Sequence, residues 1–264
     1  MTILERIILH KKKELVKARA IHPLKELEQS GFFTREIRSL SKAVANPDKS
    51  GIIAEFKRKS PSRGMINDQA LVEEVTTGYF RSGASGLSIL TDHEFFGGTN
   101  DDLSRARELN PIPILRKDFI IDEYQILEAR AIGADAILLI AAVLTQLQAK
   151  NLARFARSFD LEVLLEIHQE GELDRLNEFV NLVGVNNRDL DTFTVDTERS
   201  VKLAGVIPQD FVRISESGIT SPLVIKSLKG YGYQGFLIGE SFMRHPEPAV
   251  AFSDFMKQLV FDND

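Results

Sequence analysis

The sequence has no cysteine among its 264 residues. That excludes disulfides, thiolate metal sites and a cysteine nucleophile, and it suits a reducing compartment such as the cytoplasm. An excess of positive charge is also missing: 33 Lys and Arg against 38 Asp and Glu leave a net charge of −5. Nucleic acid is therefore not expected as the main partner, and an anionic ligand has to be drawn by local charges instead of the overall field. No apolar run reaches the length of about 18 residues that a membrane span requires, so no membrane partner is expected. The start, MTILERIILHKKKEL, places acidic Glu5 early and has no small-residue cleavage site after an apolar core. It does not read as a secretory signal.

The composition is that of a globular chain, 43% apolar and 27% charged. A chain of this length buries roughly three-quarters of its unfolded surface and needs no covalent staples. Residues 3 to 19 repeat Ile3, Ile7, Ile8, Leu15 and Val16 at helical spacing between basic residues, which predicts an amphipathic helix. Residues 20 to 48 are less regular, with Gly31-Phe32-Phe33 and then Asn46-Pro47-Asp48. Residues 1–48 are thus read as a helical extension packed on a main unit spanning 49–264. No second catalytic unit is expected after about residue 262.

From residue 51 short apolar runs recur: GIIAEF (51–56), GLSIL (86–90), IPILRK (112–117), DAILLI (135–140), EVLLEI (162–167), LVGVNN (182–187), DFVRISES (210–217) and GFLIG (235–239). A helix-period stretch follows each. Continuous apolar strands indicate a parallel sheet covered on both faces. Repeated strand–helix units over this length predict an α/β fold, a (β/α)8 TIM barrel with an N-terminal helical extension. An open doubly wound sheet would want a glycine-rich dinucleotide loop after the first strand, and KRKSPSRG is not GxGxxG.

In such barrels the chemistry sits at the C-terminal strand ends. Those ends carry Glu55, Lys57 and then Ser60; Lys117; Glu166; Asn186 and Arg188; Glu216 and Ser217; Gly239 and Glu240. The second strand offers Ser88 and Thr91, the fourth Leu138 and Leu139. For any one of them the alternative is a solvated strand end. Residues two apart share a side, so Glu55 and Lys57 set an acid and a base together, with Lys117 and Glu166 facing the same mouth. SESGI and IGES present Gly218 and Gly239 where backbone N–H groups can converge on a phosphate; the alternative is a pair of tight turns. KRKSPSRG is either a solvated basic loop or a lid over a polyanion.

Several separate blocks now match one family: IIAEFKRKSPSRG, GLSILTDHEFFGG, PILRKDFIIDEYQILEARAIGADAILLI, LLEIHQEGEL, VGVNNRDLDTFTVD, ISESGI and FLIGESFMR. They span roughly residues 51 to 245, and with them the chain resembles the indole-3-glycerol phosphate synthases, cofactor-free lyases of tryptophan biosynthesis. The N-terminal helix also looks like that family's extension. The resemblance implies a small phosphorylated substrate, 1-(2-carboxyphenylamino)-1-deoxyribulose 5-phosphate, closed to an indole with loss of CO₂ and water. It implies Lys117 as the acid that protonates the ketone, and Glu166 and Lys57 as the pair serving dehydration. Glu55 and Asn186 would position Lys117 or the new hydroxyl, while Ser217 and Arg188 would touch substrate. Lys57, Gly218, Gly239 and the Glu240 amide would surround the phosphate, and Ser60 would reach in from the lid. Phe96, Phe119, Leu138 and Leu190 would form the apolar slot. Neither metal nor cofactor is implied, and a monomer or weak homo-oligomer is expected.

Three points stay open at this stage. Lys57 would lower the pKa of Lys117, while Glu55 and Glu166 would raise it. Lys57, Lys117 and Arg188 should make a positive mouth. Position 240 is Glu where some relatives have a small residue, and a carboxylate facing the phosphate would oppose binding. Two other functions fit the barrel: another phosphosugar enzyme, such as an isomerase of the same pathway, and a non-catalytic phosphosugar-binding protein. An isomerase would favour a cysteine or paired aspartates, and a binding protein would have no need of the acid–base set.

Overall fold

The computed structural model describes residues 1–190 and 192–261; Asp191 and residues 262–264, the tail of the expected main unit, lie outside the described residues. The barrel strands are β1 (Ile52–Phe56), β2 (Gly86–Leu90), β3 (Ile114–Lys117), β4 (Ala136–Ile140), β5 (Glu162–Ile167), β6 (Leu182–Asn186), β7 (Val212–Glu216) and β8 (Gly235–Ile238). Each pairs in parallel with the next, and β8 returns to β1, so the sheet closes on itself. Closure leaves no edge, and the strand interiors are buried on both sides except at the start of β7, where Val212 and Arg213 are half-buried. This is why the strands read as continuous apolar runs.

Helices α1 (Ile3–Ile21), α2 (Leu24–Glu28) and α3 (Leu40–Ala45) precede β1. The helices that follow are α4 (Val72–Arg81), α5 (His93–Phe96), α6 (Asn100–Leu109), α7 (Glu123–Ala131), α8 (Gln146–Arg157), α9 (Glu198–Ala204), α10 (Pro222–Gly230), α11 (Glu240–Met243) and α12 (Pro248–Phe261). After β5 the expected helix is instead a six-residue 3₁₀ turn, Glu170–Arg175. Short 3₁₀ pieces are frequent as connectors, and the glycine in EGELDR weakens its α-helical propensity. Among the described residues, no helix is long and apolar enough to cross a membrane.

Strand alternation sorts the core into two shells. Ile53, Leu115, Leu138, Leu164, Leu182, Ile214 and Leu237 fill the barrel interior, while their neighbours pack outwards under the helices. Two residues further along the same inward columns lie Glu55, Lys117, Ile140, Glu166, Gly184 and Glu216. The interior therefore changes from apolar to charged toward the C-terminal mouth.

The first 48 residues touch both ends of the barrel. Leu40 and Val44 of α3 belong to the interior cluster, closing the end opposite the mouth. Glu162 holds that helix by accepting from the Ser39 hydroxyl at 2.6 Å and the Ser41 amide at 2.7 Å. At the mouth, Lys11 of α1 is buried against Glu14 (2.6 Å), Asp92 (2.9 Å) and Asp118 (3.0 Å). The Tyr124 hydroxyl donates to the Ala18 and His22 carbonyls and fixes the far end of α1 on α7. Arg116 points away from the mouth, as alternation requires, and bonds Glu128, Thr91 and the Gln125 carbonyl. It and Asp118 are buried, so the Arg116-Lys117-Asp118 cluster is not a solvated surface patch.

Burial pushes the Asp118 carboxyl up, but Lys11 and Arg116 outweigh it and hold its pKa at about 2. A folded-state pKa below the unfolded value near 3.9 gives stability above that value, lost as the pH falls through the folded one. Lys11→Met removes the Lys11 cation from buried Asp92 and leaves Asp118 to Arg116 alone, and the expected loss is about 3–5 kcal/mol in urea denaturation at neutral pH. The variant should also lose less further stability than wild type between about pH 4 and pH 2. An unchanged urea midpoint would show that Lys11 does not hold the extension.

Candidate active site

The site grows from the ends of five inward columns. On β1 and just past it, Glu55 and Lys57 share a side, and their charged ends meet at 2.8 Å. From β3, the Lys117 ammonium reaches Glu166 of β5 at 2.7 Å and Glu216 of β7 at 3.4 Å. From β6, the Asn186 amide donates to the other Glu166 oxygen at 3.2 Å. Asn186 thus reaches Lys117 only through the carboxylate that Lys117 pairs with. The Ser88 hydroxyl adds a donor to Glu55 at 3.3 Å.

Two glycines make room for these groups. A Cβ at Gly184 would come within 2.1 Å of the Glu216 carboxylate, and one at Gly239 within 2.5 Å of Glu55. Gly239 therefore accommodates an acidic side chain. Ser217 (φ 65°) and Gly218 (φ 75°) lie in the left-handed region. For serine this is a strained conformation of the kind that recurs at functional sites.

The electrostatics follow from burial and pairing. Burial favours a neutral Lys117, but Glu166, Glu216 and Glu55 outweigh it and hold its pKa above the ordinary lysine value. The balance left open by the sequence thus falls to the carboxylates. Burial likewise pushes Glu166 up, yet Lys117 and then His168 overcome it, so Glu166 stays well below the carboxylate range. Glu216 goes the other way: burial, with Glu166 and Glu55 nearby, raises it despite Lys117. The closer lysine lowers one acid, while burial and carboxylate repulsion raise the other, so their proton affinities are driven apart as acid–base work requires.

Two adjoining cavities open on this cluster. One, of about 510 Å³, is lined by Gly218, Gly239, Ser241, Thr220, Arg63 and Arg244. The other, of about 130 Å³, is lined by Phe96, Phe119, Leu138, Leu190, Ser60, Lys117, Glu166 and Asn186. Glu55, Lys57, Arg188, Ser217 and Glu240 form walls of both. Every residue expected at the site therefore lines one cavity or both. The Phe96 and Phe119 rings lie 6.0 Å apart, an aromatic slot beside a charged floor.

The mouth departs from expectation in one respect. The mouth is charge-paired and not simply positive, because Lys57, Lys117 and Arg188 each meet a carboxylate. Glu240 does not turn its carboxylate away from the cavity; Arg188 (2.9 Å) and Arg63 (3.0 Å) hold it there. The KRKSPSRG loop is pinned at its base. Arg58 forks onto Asp102 at 2.7 and 2.8 Å, and Lys59–Ser60 pairs with Gly64–Met65 in a short ribbon. Outward alternation takes Arg58 away from the mouth. Among the described residues no cluster of three or more His, Asp or Glu has metal-holding geometry.

Glu216 was legible as a strand end but lies outside the expected set. The signal was its parity with Ile214, which faces the interior. Ile3, Leu4 and Ile7 of α1 line the smaller cavity, and Arg63 and Phe193 also stand in the walls. Their helical spacing marks the first three as an apolar face, but only the docking of α1 reveals what that face covers.

A closed parallel barrel with lysines and carboxylates gathered at its C-terminal mouth is the construction of a (β/α)8 enzyme. A solved structure of 3-hexulose-6-phosphate synthase matches it with a TM-score of 0.60 over 79% of this chain and 99% of that one, at 12% identity, and so shares the barrel alone. Sequence comparison is more specific. The family profile described as Indole-3-glycerol phosphate synthase matches residues 4–255. A protein of that name from Bacteroides thetaiotaomicron is 48% identical over 97% of this chain and 98% of its own. Proteins of the same name from Acidithiobacillus ferrooxidans (42% identical, covering 98% and 99%) and Polaromonas naphthalenivorans (41%, covering 96% and 97%) agree. The chain belongs to the indole-3-glycerol phosphate synthase family, ring-closing decarboxylating lyases of tryptophan biosynthesis.

The raised pKa of Glu216 has a measurable consequence. A carboxyl whose folded-state pKa exceeds the unfolded value near 4.3 gives stability that is full below that value and lost as the pH rises through the folded one. Glu216→Gln removes this dependence. The Tm difference, variant minus wild type, is expected to be more positive at about pH 8 than at about pH 4.5, by roughly 3–5 °C. Equal differences at the two pH values would mean that Glu216 is ionised throughout.

Proposed function

We propose that this mouth binds 1-(2-carboxyphenylamino)-1-deoxyribulose 5-phosphate and closes it to indole-3-glycerol phosphate, with Lys117 as the first proton donor. The observation that carries the reading is the Lys117–Glu166 pair at 2.7 Å, beside an aromatic slot and an arginine-lined chamber. The anthranilate ring suits the smaller cavity, against the apolar wall of Phe96, Phe119, Leu138 and Leu190. The phosphate suits the larger chamber, near Lys57, Arg188 and the backbone N–H groups of Gly218, Gly239 and Glu240. Ser60 and Ser217 stand between the two ends.

The ring carbon that bears the carboxylate attacks the ketone, and the oxygen gains negative charge. The Lys117 ammonium gives it a proton, and CO₂ then leaves with its bonding electrons returned to the ring. Loss of the new hydroxyl needs a second acid, and the ring system must lose a proton to a base. The ionised state of Glu166 supports it as that base, which leaves the Lys57 ammonium as the acid. Glu55 steadies Lys57, and Asn186 steadies Glu166. A site with this acid–base set does more than bind a phosphosugar, which argues against a purely binding role. The cysteine-free composition supports the cytoplasm as its compartment, and the reading requires neither nucleic acid nor a second chain.

The chain has no tryptophan, so indole fluorescence should rise over a tyrosine-only background when the substrate is added without metal or cofactor. Lys117→Ala should lower turnover by roughly 10²–10⁴-fold while a phosphate-bearing substrate analogue still binds. Near-normal turnover would remove Lys117 from the acid's role. Glu166→Gln should slow dehydration, so that a ring-closed intermediate accumulates in quenched-flow samples. Slowing of the initial condensation instead would reassign the base.

A further inference from the structure

His168 follows Glu166 by two residues, just past the end of β5, and so faces the same side. Its side chain is 11% exposed and lines neither cavity. Nε2 lies 3.4 Å from Glu166 Oε1, and Nδ1 lies 3.7 Å from Glu172 Oε2. The His168 backbone N–H donates to the same Glu172 oxygen at 2.7 Å, which fixes that carboxylate beside the ring. Glu216 of β7 adds a more distant negative charge. Lys117 of β3 and Asn186 of β6 reach the ring only through Glu166, which they bond.

Each ring nitrogen thus lies within ion-pair distance of a carboxylate oxygen, and among the described residues neither makes a hydrogen bond to any group. Carboxylates only accept. A neutral imidazole leaves both carboxylate charges unmatched on this side, whereas an imidazolium sets a positive charge within 3.7 Å of each. Burial works against the charged ring, but Glu172, Glu166 and Glu216 outweigh it and raise its pKa above the ordinary imidazole value. The consequence falls on Lys117. Glu166 holds the Lys117 proton, and any positive charge on the opposite side of Glu166 weakens that hold.

We propose that His168 is a positioning residue that works as an imidazolium, sharing the Glu166 carboxylate with Lys117 and so loosening that carboxylate's grip on the proton Lys117 must donate. The proposal rests on the reading of Lys117 as the acid. It gives the enzyme a pH limb of its own: the rate falls as the pH rises through the His168 pKa, because the neutral ring no longer shares Glu166. His168 lines neither cavity, so the effect belongs to kcat and not to KM.

The test follows kcat and KM against pH for wild type, His168→Asn and Glu172→Gln. It is joined to imidazole ¹⁵N–¹H NMR of the wild-type chain, whose five histidines keep the spectrum simple. The wild-type His168 ring should stay doubly protonated past pH 6.5, and its titration should coincide with an alkaline limb in kcat. His168→Asn should lower kcat on the order of ten-fold below that limb, erase the limb and leave KM unchanged. Glu172→Gln should move both the NMR titration and the limb to lower pH, and this holds even if His168→Asn fails to fold. A ring already neutral at pH 6, or a His168→Asn profile with the wild-type limb intact, overturns the proposal and assigns the limb to Glu216 or Lys117. The reading beneath it is tested separately: an inactive Lys117→Ala with an unaltered His168→Asn profile overturns this proposal alone.

Discussion

The site depends on one buried contact, the ion pair between Lys117 and Glu166. Two charges taken out of water cost several kcal/mol each unless their geometry is good and their remaining valences are met. Lys117 and Glu166 meet at 2.7 Å, and Asn186 satisfies the second carboxylate oxygen. Glu216 lies close enough to feel the same ammonium, with Gly184 leaving space for its carboxylate. These groups come from β3, β5, β6 and β7, so only a closed barrel of fixed register brings them together. The apolar interior below them is the other half of the arrangement. It keeps water out of the floor and raises the strength of each charge–charge term above it.

The N-terminal residues tie into this centre from above. Lys11 places a buried cation on Asp118 and Asp92. Asp118 is the immediate neighbour of Lys117, and Asp92 caps the short helix that carries Phe96. The same helix α1 lays Ile3, Leu4 and Ile7 along the apolar cavity. One element thus supplies part of the slot wall and steadies two loops that flank the slot. Its other end rests on α7, and α3, later in the extension, stoppers the barrel base. The extension is built into the fold at both faces of the sheet.

The strands were legible because parallel strands buried on both faces leave continuous apolar runs, and each observed strand falls within an expected one. The inward columns were legible through period-two alternation, which put Glu55 with Lys57 and turned Arg116 away from Lys117. Partner choice was less legible. Nothing local in KRKSPSRG tells that Arg58 forks onto Asp102 while Arg63 reaches Glu240, because both partners lie far along the chain. The 3₁₀ turn after β5 was hidden for a similar reason, since EGELDRL has a helical apolar spacing and only its glycine tells against an α-helix. Glu216 shows a different limit: its parity was readable, but a strand-end glutamate gains meaning only when a lysine from another strand is seen beside it.

The raised pKa of Lys117 looks at first like an obstacle to an acid, yet it fits the chemistry proposed for it. A group held protonated by three carboxylates is charged at every working pH, so no fraction of the enzyme waits for a proton. The acceptor it must serve is a ketone oxygen turning into an alkoxide, far more basic than any amine. Protonation of that oxygen is favourable even from a strongly held ammonium, provided the geometry is preset. The carboxylates then have a second use, because they keep the lysine side chain aimed into the mouth before the reaction. The same logic applies in the larger chamber proposed for the phosphate, where Glu240 holds Arg63 and Arg188 in place. An acidic chain has thus arranged cations for an anionic substrate by giving each one an internal counter-charge. The incoming ligand must compete with those carboxylates, which makes recognition depend on a dianion at one end and a flat ring at the other, and not on charge alone.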